Sequence, residues 1–166
     1  MSTQGASSSS APSFSTPRWK YDVFLSFMGA DTRNGFTSYL YTALKQKGVF
    51  TFRDDDTLTI GEPISWELLK GIQESRVAIV ILSENYASSR WCLDELAMIV
   101  KCKEEMGQIL LPVFYGVNPS DVRKQTGPFG RAFAKHEGSC DRQKVISWRD
   151  ALTKVANLSG WTVNER

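Results

Sequence analysis

The sequence predicts an α/β fold: a doubly wound parallel sheet of flavodoxin-like order with helices on both faces. Three observations predict it. Apolar runs of strand length alternate with apolar stripes at helical spacing, and the loops joining them are short. One run, Val77–Leu82, is apolar throughout and rich in β-branched residues, as a central parallel strand covered on both faces requires. Right-handed crossovers leave few other topologies for such alternation. The 166 residues suit one domain and are too few for two of ordinary size.

Residues 1–18 are rich in Ser, Pro and Ala and nearly devoid of large apolar side chains, so they cannot offset their ordering entropy and are expected to form a disordered leader. The folded domain is expected over 19–163, with 164–166 as a tail. Tyr21–Phe27 reads as a buried first strand, followed by turn chemistry at Gly29 and Asp31. Phe36, Leu40, Ala43 and Leu44 recur at helical spacing, and Gly48 stands where a glycine ends a helix. Val49–Arg53 is a second strand, then comes an irregular loop, Asp54–Glu62, with Pro63 suited to a first helical position. Ile64, Leu68 and Ile72 make the next stripe, leading into Val77–Leu82. A helix over Trp91–Met106 is stopped by Gly107, and Ile109–Tyr115 is a further strand. Ser120–Gly127 suggests a loop with a helical turn, and Phe129–His136 a short helix. Asp141 is placed to cap a last helix that turns Val145, Trp148, Leu152, Val155 and Ala156 inward. A fifth strand is expected to complete the sheet, but no periodicity marks it.

Composition closes several routes to function. Twenty basic against eighteen acidic residues leave a charge of +2, so no polyanion or nucleic-acid partner is indicated. The longest apolar runs fall well short of the roughly 20 residues that span a bilayer. Three scattered cysteines argue against a disulfide framework and for a reducing compartment. A Ser-His triad or a zinc site would have to use the single histidine, His136, and no CxxC, HExxH, GxSxG, Walker or GxGxxG motif is present. No metal and no cofactor are expected. Chemistry here must come mostly from carboxylates, hydroxyls, aromatics and backbone.

In sheets of this order, ligands bind beyond the carboxyl ends of the strands. The segments expected there are Met28–Asp31, Asp54–Glu62 and Ser83–Trp91. Trp91 and Glu95 are spaced i, i+4 on one helix face. An aromatic plane beside a carboxylate suits a flat heterocycle joined to a sugar, and the carboxylate can stabilise positive charge developing at the anomeric carbon. The alternatives stay open: Glu95 could complement a helix dipole in a first turn, and Trp91 could be core. Asp94 points about 100° away and is expected to be a solvated or capping acid. Asp54, Asp55 and Asp56 could bind a metal, though the run lacks the register of a calcium loop and reads better as a solvated turn. Leu58 and Ile60, apolar in a polar loop, suggest a lid or contact surface. Cys92 could be a nucleophile at a helix start, or a small buried side chain. Trp148, Phe129 and Phe133 sit at core spacing.

Tyr21–Phe27, the Phe50–Ile64 strand and loop, Ser83–Leu96 (SENYASSRWCLDEL), Leu111–Tyr115 (LPVFY) and Asn118–Arg123 (NPSDVR) together resemble a plant TIR domain. Such domains are the N-terminal module of TIR-type nucleotide-binding leucine-rich-repeat immune receptors, and the end at Arg166 suggests an excised module or a truncated receptor. The resemblance implies a five-stranded flavodoxin-like TIR fold and cleavage of NAD⁺ or NADP⁺, as substrate, to nicotinamide and ADP-ribose-type products. It places Glu95 as the catalytic carboxylate and Trp91 as the stacking group. Phe27, Gly29 and Ser83 would shape the pocket, under a loop that includes Asp54, Leu58 and Gly61. It implies a homo-oligomer, with one interface on the first helix at Ser38 and Tyr39 and another on the last helix, ending at Gly160-Trp161. Its further partners would be downstream plant immune signalling proteins, and its location the cytoplasm, with the nucleus as a second compartment. Met28 and Ala30 stand where plant members carry Arg and Glu, and Thr57 and Ile60 where the loop often carries Lys and Arg. A non-catalytic homotypic adaptor is the alternative. A phosphoacceptor domain using Asp54–Asp56 is a weaker third reading.

Overall fold

The computed structural model describes residues 19–53 and 65–164. The leader, the Asp54–Ile64 loop with Asp54, Leu58, Gly61 and Pro63, and the last two residues lie outside the described residues.

Five parallel strands form one sheet in the order β2-β1-β3-β4-β5: β1 Tyr21–Phe27, β2 Thr51–Arg53, β3 Ser75–Leu82, β4 Ile109–Tyr115 and β5 Trp161–Val163. The helices are α1 Gly29–Thr32, α2 Phe36–Gln46, α3 Trp66–Gln73, α4 Arg90–Met106, α5 Pro119–Lys124, α6 Pro128–Ser139 and α7 Arg142–Ala156. Tyr86–Ser88 form a single 3-10 turn before α4.

The two faces of the sheet follow from strand periodicity. Val23, Leu25 and Phe27 of β1, with Ile81 and Val113, face α2 through Phe36, Leu40 and Leu44. Phe24, Val80, Leu82 and Phe114 face the larger core built by α3, α4, α6 and α7. Phe129, Phe133 and Trp148 are buried there, as their spacing predicts. Asp141 caps α7 as the sequence predicts, its side chain accepting from the Lys144 amide, and the Ser65 and Ser89 side chains likewise accept from the Leu68 and Cys92 amides, so that α3 starts at Trp66 and not at Pro63. Gly107 ends α4 at φ 79°, a conformation glycine adopts without steric cost.

Several expectations are corrected. β2 is shorter than Val49–Arg53, because the Asp22 carboxylate takes the Phe50 amide at 2.8 Å and starts the strand later. The turn expected at Gly29 and Asp31 is a one-turn helix. The last helix does not run to Gly160-Trp161. It stops at Ala156, and Trp161 opens the fifth strand, paired with Val113. Gly160 is there for the fold: a Cβ on it would lie 2.0 Å from the Pro112 carbonyl oxygen of β4. Asp94 is neither capping nor merely solvated. It accepts from the Trp148 indole at 2.9 Å and pairs with Lys144 at 3.2 Å, tying α4 to α7.

Burial sets the alkaline limit of this fold. The Tyr86 hydroxyl is pushed well above the ordinary tyrosine range, first by burial and then by the nearby Cys92 and Glu95, and burial also pushes the Cys102 thiol up. The folded chain keeps both protons where the unfolded chain loses them. Stability is therefore full below the ordinary pKa values of these groups and falls as pH rises past about 9 to 10. Urea midpoints measured upward from pH 8 are expected to decline, with a shallower slope in Tyr86→Phe. A flat profile would contradict this account.

Candidate active site

A cavity of about 580 Å³ opens above the carboxyl end of β1, where the sheet order changes direction between β1 and β3. Its floor is Leu25 and Phe27. One wall is the segment from Met28 to Gly35, and the other is the start of α4, with Ser89, Trp91, Cys92 and Glu95.

Glu95 is 3% exposed. It is the sixth residue of α4, past the first turn, so the helix-dipole alternative does not account for it. Carboxylates are seldom buried this fully outside functional or paired settings. Trp91 lines the same cavity one turn earlier and also packs against the main core. Among the described residues its indole N–H is buried without a hydrogen-bond partner. Cys92 is buried, and its sulfur donates to the Phe27 carbonyl at 3.5 Å, a structural contact rather than the posture of a nucleophile.

Two hydrogen-bond sets position these groups. The Tyr86 hydroxyl, fully buried, donates to the Cys92 carbonyl at 3.2 Å and shares a 2.7 Å bond with Ser26 of β1. It thereby fixes the first turn of α4 against the sheet. Asp31 accepts from Ser83 Oγ at 2.5 Å, from the Asn85 amide at 2.9 Å and from Asn85 Nδ2 at 2.9 Å. That bracket joins the pocket wall at α1 to the loop after β3. Ser83 is buried and acts through Asp31 rather than on the cavity itself.

Asp31 and Ser89 line the cavity within the segments expected there, though the sequence assigns them no part in the site, and Arg33 and Asn34 lie outside those segments. Arg33 is the most consequential. Its guanidinium lies 4.9 Å over the Phe27 ring, a cation–π arrangement inside the pocket. Gly29 makes room for it, since a Cβ there would fall 2.6 Å from Arg33 Nη2. The cation missing at Met28 is thus present in the cavity from five residues further on. Of the residues expected at interfaces, Tyr39 is 74% exposed on α2 and Ser38 beside it is half-buried. Among the described residues no group of His, Cys, Asp or Glu is assembled to hold a metal ion, and no helix is long and apolar enough to cross a membrane.

The comparisons agree with this architecture. A family model described as TIR domain matches residues 20–165. The chain is 55% identical over 161 residues to disease resistance protein RPV1 of Vitis rotundifolia, covering 96% of this chain and 11% of that protein. It is 52% identical over 152 residues to TMV resistance protein N of Nicotiana glutinosa, covering 90% of this chain and 13% of that protein. It therefore spans little more than a tenth of these curated relatives. Among solved structures, the TIR domains of the activated Roq1 resistosome that directly recognises the pathogen effector XopQ superpose with a TM-score of 0.78 at 54% identity, covering 86% of this chain and 87% of that one. With a parallel sheet in this order and a family match over nearly its whole length, the chain belongs to the TIR domain family.

Proposed function

We propose that this domain is an NAD⁺ or NADP⁺ nucleosidase that works in a self-associated state and signals in plant innate immunity from the cytoplasm. The observation that carries the reading is Glu95, buried one helical turn from Trp91 in a cavity at the switch point of the sheet. When the bond between ribose and nicotinamide breaks, its electron pair stays on the pyridinium nitrogen and neutralises it, so the leaving group needs no proton. Positive charge develops at the ribosyl carbon, where the Glu95 carboxylate offsets it. A water oxygen then bonds to that carbon and passes a proton to Glu95. Attack by a hydroxyl of the same dinucleotide would instead give cyclic products.

Trp91 would stack on the dinucleotide, and Arg33 would pair with its pyrophosphate in place of the cation that Met28 does not supply. The Asp54–Ile64 loop of a neighbouring copy would complete the site. The exposure of Tyr39 on α2 supports self-association there, as does the likeness to TIR domains of an assembled resistosome. Nicotinamide release is expected from protein clustered on a surface and is expected to fall when the protein is dispersed. No release under clustering, alongside concentration-dependent association, would favour the non-catalytic adaptor, a reading that the apolar Met28 in the cavity supports.

The Arg33 assignment carries its own expectation. Gly29→Ala should leave the fold intact, because the atom it meets is the end of a flexible side chain. It should raise KM roughly three- to tenfold with kcat little changed, as lost binding alone does. Arg33→Ala should do the same, and the double variant should be no worse than either. Additive effects would separate the two residues and remove this role for Gly29.

A further inference from the structure

Away from the cavity, one cluster joins a thiol to an imidazole. His136, the single histidine of the chain, is 5% exposed in the last turn of α6, edge-on to Phe133 and Trp148. Its Nε2 lies 2.8 Å from the Ala87 carbonyl oxygen. A carbonyl can only accept, so Nε2 carries the proton, and in the neutral ring Nδ1 is an acceptor. Nδ1 lies 3.8 Å from the sulfur of Cys140, the half-buried C-cap of α6. The Ser139 hydroxyl is 3.8 Å from the same sulfur. Cys140 is in no disulfide. The other two thiols are buried: Cys92 is spent on the Phe27 carbonyl, and burial holds the Cys102 thiol up, away from the reactive thiolate. Among the described residues, only at Cys140 do a partly accessible sulfur, a base facing it and a third group that orients the base occur together.

We propose that Cys140 is a modification site for hydroperoxides and small electrophiles, with His136 as its general base and the Ala87 carbonyl as the group that sets the tautomer. With hydrogen peroxide, the sulfur attacks one oxygen. A sulfur–oxygen bond forms as the oxygen–oxygen bond breaks, the sulfur is oxidised by two electrons, and the peroxide is reduced. The thiol proton passes to His136 Nδ1 and then to the departing hydroxide, leaving Cys140 sulfenic acid and water. The inference is independent of the nucleosidase reading. Its reach is toward the active site all the same, because His136 fastens α6 to the Tyr86–Ser88 turn, and the next residue, Ser89, caps α4.

The test follows each cysteine-containing peptide by mass after iodoacetamide, and after hydrogen peroxide with dimedone trapping. In the folded chain Cys140 is expected to react faster than Cys92 and Cys102, and at least about fivefold faster than the same residue in urea. His136→Gln keeps an N–H donor for Ala87 and removes the base, and it is expected to slow Cys140 at least about fivefold with a near-unchanged unfolding midpoint. A folded rate no higher than the rate in urea overturns the proposal on wild-type protein alone. An unchanged rate in a folded His136→Gln chain overturns it as well.

Discussion

Glu95→Gln is expected to lower nicotinamide release from clustered protein by roughly a hundredfold or more, the scale on which preorganised charge acts at a developing ion. Glutamine matches the shape of the side chain, so the buried site stays filled and the fold should persist. On the proposed mechanism the variant loses the negative charge that would face the ribosyl carbon and the acceptor for the proton of water. Asp94→Asn is the matched control. It sits one residue away, but its side chain is engaged with Trp148 and Lys144 on α7, and the amide oxygen can still accept from the indole. That variant should keep most of the activity. Full turnover in a folded Glu95→Gln chain would remove the nucleosidase mechanism as written, and loss in Asp94→Asn alone would move the chemistry elsewhere.

Gly160→Ala is expected to destabilise the monomer by about 2 kcal/mol or more. The new methyl would meet the Pro112 carbonyl oxygen at 2.0 Å and the Pro112 ring at 2.8 Å, and the carbonyl belongs to a central part of β4 that cannot step aside. β5 has only three residue pairs to hold it, so the edge strand should give way first. For a domain of this size the loss corresponds to a fall in Tm of roughly 5 °C or more. This matters for interpretation. Substitutions at Gly160 that weaken self-association would act through β5 and not through a helix surface, since α7 has already ended. An unchanged Tm in Gly160→Ala, with association lost, would reverse that view.

The long elements were legible because their patterns are redundant. Val77–Leu82 is a strand under almost any neighbour, and α4 and α7 carry apolar stripes over several turns with a cap at the start. β5 was not legible. Three residues hold too few positions for alternation to show, and its first side chain, Trp161, is 60% exposed. The shortening of β2 was equally hidden, because it depends on a side chain from β1 reaching across to a backbone amide. In the cavity, Trp91 and Glu95 were visible since they lie on one helix and their spacing states their relation. Arg33 was not, and Asp31 was placed at the site without its contacts, because what each does depends on which ring and which loop lie opposite.

By itself the sequence determined the order of the elements, the parallel sheet, the helix carrying Trp91 and Glu95, and the family. These rest on local periodicity and on residue types at fixed separations along the chain, and both survive whatever the surroundings are. Only the tertiary structure decided that Glu95 is buried past the first helical turn, that Asp31 ties two loops together, that Gly29 admits the Arg33 guanidinium, and that Gly160 belongs to a strand contact. Each of these depends on distances between segments far apart in sequence, set by how the sheet and helices pack, and no local pattern encodes such a distance.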